Sequence, residues 1–207
     1  MKDQPIKSWL DELGSRSPAP GGGAAAALAA ATAASLVSMV AEYTTGERWA
    51  DREERMKAVA VEAQGLADRA LELADADAAA FAKVGEAYSL PRESEAEKAA
   101  RESAIQSSLQ GAARPPREVG ELALRVIALA EGLVEQGNPN VVSDVSVAAS
   151  LAGAAIEAGI VNVEINRSMI TDTAVQADLS QAADELRKGI EEADEIVTRV
   201  RTGLEKE

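Results

Sequence analysis

Two segments of this 207-residue chain carry apolar residues at alternating intervals of three and four. This spacing puts the apolar side chains on one side of an α-helix, and its regularity predicts shallow crossing angles, as in a bundle. We therefore predict an all-α fold: a single domain over residues 1–207, forming an up-and-down helical bundle of roughly six to seven helices. The two stripes are Met56, Val59, Ala63, Leu66, Ala70, Leu73, Asp77, Ala80 and Val84, and Val175, Leu179, Ala183, Leu186, Ile190, Ala193, Val197, Val200 and Leu204.

Proline, glycine and asparagine divide the chain into its helices. Pro115 and Pro116 predict a helix start, since proline is favoured in a first turn, and the glycine and asparagines at 137–140 predict a stop. Alanine dominates the apolar residues and aromatics make up only 2% of the chain, which favours closely packed helices over strands. The predicted helices span residues 6–13, 24–43, 51–87, 93–111, 115–136, 143–170 and 172–204.

The charge and the missing residue types narrow the function. A net charge of −14 argues against nucleic acid and against acidic membrane surfaces as partners. The chain has no cysteine and no histidine, so we expect no metal site of the usual zinc type and no thiol chemistry. A general base must then be Asp, Glu, Lys or Tyr. The apolar stretch at 21–41 is mostly alanine with Ser and Thr, so we interpret it as a buried helix, and with no signal peptide we expect the cytoplasm.

A glycine triplet precedes the second predicted helix, in the sequence Ser-Pro-Ala-Pro-Gly-Gly-Gly at residues 17–23. Three successive glycines are conformationally costly unless the backbone turns sharply or approaches another group closely. Their N–H groups, together with the helix N-terminus, can bind an anion or a carbonyl oxygen. The alternative is a plain loop that leads into the helix.

Two aspartates stand out against apolar helix stripes. Asp77 interrupts the stripe of the third predicted helix, and Asp144 lies near the start of an otherwise apolar helix. Asp144, as a carboxylate against an apolar wall, should have a raised pKa, which suits a general base or acid, and Asp77 on an apolar stripe costs stability unless it is paired or functional. The structural alternatives are that Asp77 caps another helix or pairs with an arginine, and that Ser143 or Asp144 simply caps the helix that begins there.

Asparagines accompany both ends of the same apolar helix. Asn138 and Asn140 precede it, and Asn162 and Asn166 share a stripe with Asp144. An amide offers both a donor and an acceptor, which suits the polar edge of a ring-shaped ligand. Buried asparagines also often only crosslink helices.

The motifs, taken in order, resemble those of the cyclodeaminase/cyclohydrolase family. This family includes the cyclodeaminase domain of formiminotransferase-cyclodeaminase and stand-alone methenyltetrahydrofolate cyclohydrolases. The similar stretches cover almost the whole chain, although Ala24 stands where the family usually has Ser. They are residues 17–23, Asp77-Ala78-Ala79-Ala80-Phe81 leading to Leu90-Pro91, Ala112-Ala113-Arg114-Pro115-Pro116 with Glu118-Val119, Gly137-Asn138-Pro139-Asn140 with Ser143-Asp144, and Asn162-Val163 with Asn166.

The resemblance implies an all-helical homodimer with a folate site near the subunit interface. It implies hydrolysis of 5,10-methenyltetrahydrofolate, with cyclodeamination of the formimino form as the alternative reaction and a non-catalytic folate-binding scaffold as the alternative class. No cofactor is expected beyond the tetrahydrofolate substrate. The implied catalytic residues are Asp144, as proton carrier, and Asp77 in the same pocket. The implied substrate-binding residues are Pro20, Gly21, Gly22, Gly23, Asn138, Pro139, Asn140, Ser143, Asn162 and Asn166.

Overall fold

The computed structural model describes residues 4–204, and within that range it contains six α-helices and no strand. The all-α prediction is confirmed. The helices are α1 (Ile6–Leu13), α2 (Gly22–Glu42), α3 (Glu53–Tyr88), α4 (Glu95–Gln136), α5 (Val142–Met169) and α6 (Thr173–Leu204). Two 3₁₀ turns, Glu47–Trp49 and Pro139–Val141, precede α3 and α5.

The prediction of separate helices at 93–111 and 115–136 was wrong, because α4 continues through Pro115 and Pro116. Each internal proline costs a helix about 3 kcal/mol, since it removes one hydrogen bond and its ring crowds the preceding turn. Here both rings are buried, and the flanking residues Ala112, Ala113, Val119 and Gly120 are buried as well. Burial against neighbouring helices therefore holds the two halves in one helix.

Helix α4 packs against α2, α3, α5 and α6, while α2 packs between α3 and α5, and α5 packs against α6. At the crossing of α4 and α5 a Cβ on Gly159 would lie 2.9 Å from the carbonyl oxygen of Pro116, so only glycine fits this approach. The main core is formed by the buried sides of these helices, and a smaller cluster around Leu109, Val163 and Ile170 fills one end of the bundle.

Two apolar helical segments, α2 and residues 139–169, pass a test of length and hydropathy for membrane-spanning helices. Only 56% and 50% of their most apolar windows are buried in the bundle. The buried share of α2 is core packing, as predicted, because Ala27, Ala30, Ala34 and Val37 are fully enclosed. The rest of each apolar window lies on the outer surface of the bundle. Core helices of globular proteins also pass this test of length and hydropathy.

Candidate active site

Asp77 of α3 lies against the first turn of α2. The backbone N–H of Ala24 donates a hydrogen bond to its carboxylate. The residue at the N-cap position, Gly21, has no side chain to do this, so an aspartate from a neighbouring helix satisfies one of the free N–H groups. A Cβ on Gly23 would overlap the Asp77 carboxylate. The close approach that the glycine triplet predicted therefore occurs at Gly23.

The pKa of Asp77 is raised above its ordinary value. Burial in the wall between α2 and α3 disfavours the charged form, and the hydrogen bond from Ala24 opposes this only in part. A raised pKa makes an aspartate a better proton acceptor than an ordinary surface aspartate, and the protonated acid can then return the proton.

Asp77 faces a cavity of about 310 Å³. The cavity lies between the loop before α2, the last third of α3, the N-terminal half of α4 and the C-terminal turns of α5. Its polar groups come from the glycine triplet, Asp77 and two asparagines, and the rest of the wall is apolar, as is usual for small-molecule sites. The lining residues are Pro18, Ala19, Gly21, Gly22, Gly23, Asp77, Ala78, Phe81, Val84, Leu109, Ala112, Asn162, Ile165, Asn166 and Met169.

Asn162 and Asn166 lie on the wall opposite Asp77, one helical turn apart. The Nδ2 of Asn162 donates to the Ala158 carbonyl at 2.8 Å, and the Nδ2 of Asn166 donates to the Asn162 carbonyl at 2.8 Å. Each side-chain amide thus donates one of its N–H groups to a carbonyl of its own helix, and this hydrogen bond fixes the orientation of the amide. One further N–H and the carbonyl oxygen of each amide stay available to a ligand.

Asp144 does not share this cavity within the chain, so that expectation was wrong. It lies in the first turn of α5, 18 residues before Asn162, and a rise of 1.5 Å per residue puts the two roughly 27 Å apart. The shared stripe correctly predicted that Asp144 and Asn162 lie on the same side of α5, but it does not show that they lie at opposite ends of the helix. An acidic residue in a first turn also interacts favourably with the helix dipole.

The asparagine turn before α5 lies at the same distant end of the bundle. The backbone N–H of Asn138 donates to Thr44 Oγ1 at 2.9 Å, its Nδ2 donates to the Tyr43 carbonyl at 3.0 Å, and its Oδ1 accepts from the Asn140 N–H at 3.0 Å. Asn138 therefore joins the end of α2 to the start of α5. The prediction of a single pocket shared with Asp77 was therefore wrong within one chain for Asn138, Pro139, Asn140 and Ser143, which do not line the Asp77 cavity.

Pro20 also departs from the predicted site. It lies in the right loop but lines a separate cleft of about 180 Å³ with Trp9 and Ala74. The predicted residues that the structure does bring together are Gly21, Gly22, Gly23, Asp77, Asn162 and Asn166.

Several cavity residues were not predicted as site residues. Phe81 is the only phenylalanine in the chain, and it is 55% exposed at the cavity, one turn after Asp77. In a chain so poor in aromatics, a phenylalanine outside the core was a usable signal. Leu109, Ala112, Ile165 and Met169 had no such signal, because they resemble ordinary helix residues.

A sequence profile described as formiminotransferase-cyclodeaminase matches residues 5–185. The chain belongs to this family. It is 38% identical over 173 residues to a methenyltetrahydrofolate cyclohydrolase from Methylorubrum extorquens, and the match covers 83% of each chain. It is 34% identical to the formimidoyltransferase-cyclodeaminase of Mus musculus, where the match covers 83% of this chain and 32% of the relative. The family resemblance seen in the motifs is confirmed.

A solved structure of the family gives the same fold. The formiminotetrahydrofolate cyclodeaminase from Thermotoga maritima superimposes with a TM-score of 0.88 at 29% identity, covering 98% of both chains. The chain thus spans a whole stand-alone relative, but only about a third of the larger mammalian ones.

Proposed function

We propose that the chain is a methenyltetrahydrofolate cyclohydrolase, which hydrolyses 5,10-methenyltetrahydrofolate to 10-formyltetrahydrofolate. The observation that carries this is Asp77, a carboxylate with a raised pKa held in a mostly apolar cavity in a chain of the folate family. The relative from Methylorubrum extorquens supports hydrolysis as the reaction. As in the sequence-based hypothesis, tetrahydrofolate is the substrate and we propose no further cofactor and a cytoplasmic location.

The chemistry needs groups that move protons. In the substrate the bridging carbon between N5 and N10 is part of a cationic amidinium, so water can add to it. The Asp77 carboxylate accepts a proton from the attacking water, and the protonated acid then delivers it to N5 as the N5–carbon bond breaks. The hydroxyl on the carbon loses its proton to become the formyl group on N10, which leaves a neutral product and one proton in solution.

The environment of Asp77 suits a cationic substrate. Its negative charge, in a wall with few other polar groups, favours the amidinium. The free amide groups of Asn162 and Asn166 can orient the ring, and the N–H groups before α2 can bind one of its oxygens.

Cyclodeamination is the second candidate, supported by the full-length match to the enzyme from Thermotoga maritima. There N10 attacks the formimino carbon on N5 and ammonia leaves, so protons again move next to the bridging carbon. The non-catalytic scaffold is the remaining alternative.

Two assays separate these functions. Purified protein is given methenyltetrahydrofolate while its absorbance is followed, and formiminotetrahydrofolate while ammonia is measured. We expect loss of methenyl absorbance above the uncatalysed rate and no ammonia. Ammonia release instead would establish the cyclodeaminase, and tetrahydrofolate binding without either turnover would establish a scaffold.

We also propose a homodimer that forms through the outward sides of α2 and α5. Helix α4 packs behind both, so these sides point the same way, and the charged residues among the exposed ones of α2 and α5 are Glu42, at the end of α2, and Glu157. Two copies with a net charge of −14 each repel one another elsewhere. Two helix faces about 35 Å long and 20 Å wide give roughly 700 Å² per subunit, which is close to a standard interface.

Such a dimer would place Asp144 of the second copy beside Asp77, where it can accept the proton that the hydroxyl on the bridging carbon releases, in line with the proton-carrying role predicted for it from the sequence. Helices α2 and α5 are antiparallel, since Gly22 lies near Asn162 and Tyr43 near Asn138. A twofold axis across these helices would bring the Asp144 end of one copy to the Asp77 cavity of the other.

Mixing two inactive variants tests this arrangement. We expect Asp77→Asn and Asp144→Asn to be inactive dimers when separate, and to recover part of the activity when co-expressed, because a mixed dimer contains one intact pair of aspartates. Light scattering checks that both variants stay dimeric. Full activity of Asp144→Asn alone would show that Asp144 has no catalytic role.

A further inference from the structure

Two consecutive prolines in the middle of α4 remove two backbone donors from the helix. An α-helical N–H bonds to the carbonyl four residues earlier, so Pro115 leaves the Gly111 carbonyl without that bond and Pro116 leaves the Ala112 carbonyl without it. Proline inside a helix destabilises it, so two consecutive prolines in α4 call for a structural or functional explanation.

The carbonyls of Gly111 and Ala112 differ in the backbone hydrogen-bond donors that remain within reach. The tighter 3₁₀ bond comes from the residue three positions later, which for Gly111 is Arg114, a residue with an N–H group. For Ala112 that residue is Pro115, which has none. The covalent structure therefore denies the Ala112 carbonyl both of the bonds that a helix normally offers. A buried carbonyl without a donor costs free energy, and such groups usually find a partner elsewhere.

The positions of the two residues differ in the same way. Ala112 is buried and lines the Asp77 cavity, whereas Gly111 lines a different groove of about 750 Å³, together with Lys83, Arg114 and Pro115. Helix α5 crosses α4 at this point, where Gly159 contacts Pro116, and Asn162 follows one turn later. The deprived carbonyl thus belongs to the same part of the fold as Asp77 and Asn162.

We propose that the main-chain carbonyl of Ala112 accepts a hydrogen bond from an N–H group of the bound substrate, which makes it a specificity-determining group of the cavity. This inference rests on the proposed folate function and deepens it. The pterin ring of a tetrahydrofolate carries several N–H donors along its edge, so it satisfies the acceptor that Pro116 leaves open. A ligand without a donor at that position leaves a buried acceptor unpaired and binds weakly.

The variant Pro116→Ala tests the proposal, because it returns an N–H group to the Ala112 carbonyl. We expect the dissociation constant for tetrahydrofolate, measured by calorimetry, and the KM for the methenyl substrate to rise about tenfold, the usual effect of one hydrogen bond. We expect kcat to change less. The matched comparison is Pro115→Ala, which returns an α-helical donor to Gly111 on the other groove and can reach the Ala112 carbonyl only through the weaker 3₁₀ bond, so it should raise both constants less than Pro116→Ala does. Circular dichroism and the melting temperature check that both variants are folded.

A substrate analogue gives a second, independent measurement. A tetrahydrofolate that lacks the 2-amino group and one that lacks the N3 hydrogen are each compared with the parent ligand. We expect the parent protein to discriminate against one of them and Pro116→Ala to lose that discrimination.

Equal affinity of Pro116→Ala and the parent protein for tetrahydrofolate would overturn the inference, as would an equal loss in Pro115→Ala. Absence of any tetrahydrofolate binding to the parent protein would instead overturn the proposed function, so the two failures are distinguishable.

Discussion

Replacing Asp77 by asparagine is expected to lower kcat by roughly 10²–10⁴-fold while the helical bundle stays folded. Asparagine keeps the size of the side chain and an oxygen that can accept the hydrogen bond from Ala24, but it cannot move a proton. Turnover of the methenyl substrate in single-turnover and steady-state assays measures the loss. The matched control is Glu86→Gln on the same helix, an exposed carboxylate outside this cavity that should keep parental activity.

The stability of Asp77→Asn should depend on pH in a defined direction. Burial raises the pKa of Asp77, so the folded protein holds that proton more tightly than the unfolded chain does. The contribution of Asp77 to the stability of the parent protein is therefore lost as the pH rises from the ordinary value of 3.8 through the raised pKa, and the variant has no such contribution to lose. Urea denaturation across this range should show the stability of the variant gaining on that of the parent. An equal dependence in both proteins would contradict a raised pKa.

The fold was largely predictable because the apolar spacing is regular. Five of the predicted helices match observed ones within a few residues, and α1 matches at both ends. The exception is α4, where Pro115 and Pro116 carry a local signal for a helix start. Tertiary packing at Gly159 outweighs that signal, and local sequence does not contain the packing partner.

The candidate site was predictable only in part. Asp77 interrupts an apolar stripe and the glycine triplet has no local explanation, so both could be recognised from the sequence. Helical periodicity gives the side of a helix but not which end meets another element. For this reason Asn162 and Asp144 looked like neighbours, although α5 separates them by most of its length. Ala112 could not be found from its side chain, since the group of interest there is a main-chain carbonyl.

Gly23→Ala is expected to reduce both activity and stability, because its new methyl group would occupy the position of the Asp77 carboxylate. Overpacking of this kind costs roughly 1–3 kcal/mol in the free energy of unfolding. Either the carboxylate moves away from Ala24 or α2 shifts from α3, and in both cases the proton carrier leaves its place. We expect a loss of kcat that approaches the effect of Asp77→Asn, measured in the same methenyl assay.

Two other glycines make the comparison specific. A Cβ on Gly21 or on Gly65 has no atom within 4 Å, so alanine at either position should fold normally. Gly65 lies inside α3 away from the cavity, and Gly65→Ala should stabilise the helix by about 0.5–1 kcal/mol without changing turnover. The double variant Gly23→Ala with Asp77→Ala removes the carboxylate that the new methyl group would meet, so it should recover part of the stability but not the activity. Since the two residues are in contact, their effects on unfolding should not add, whereas independent roles would give additive losses.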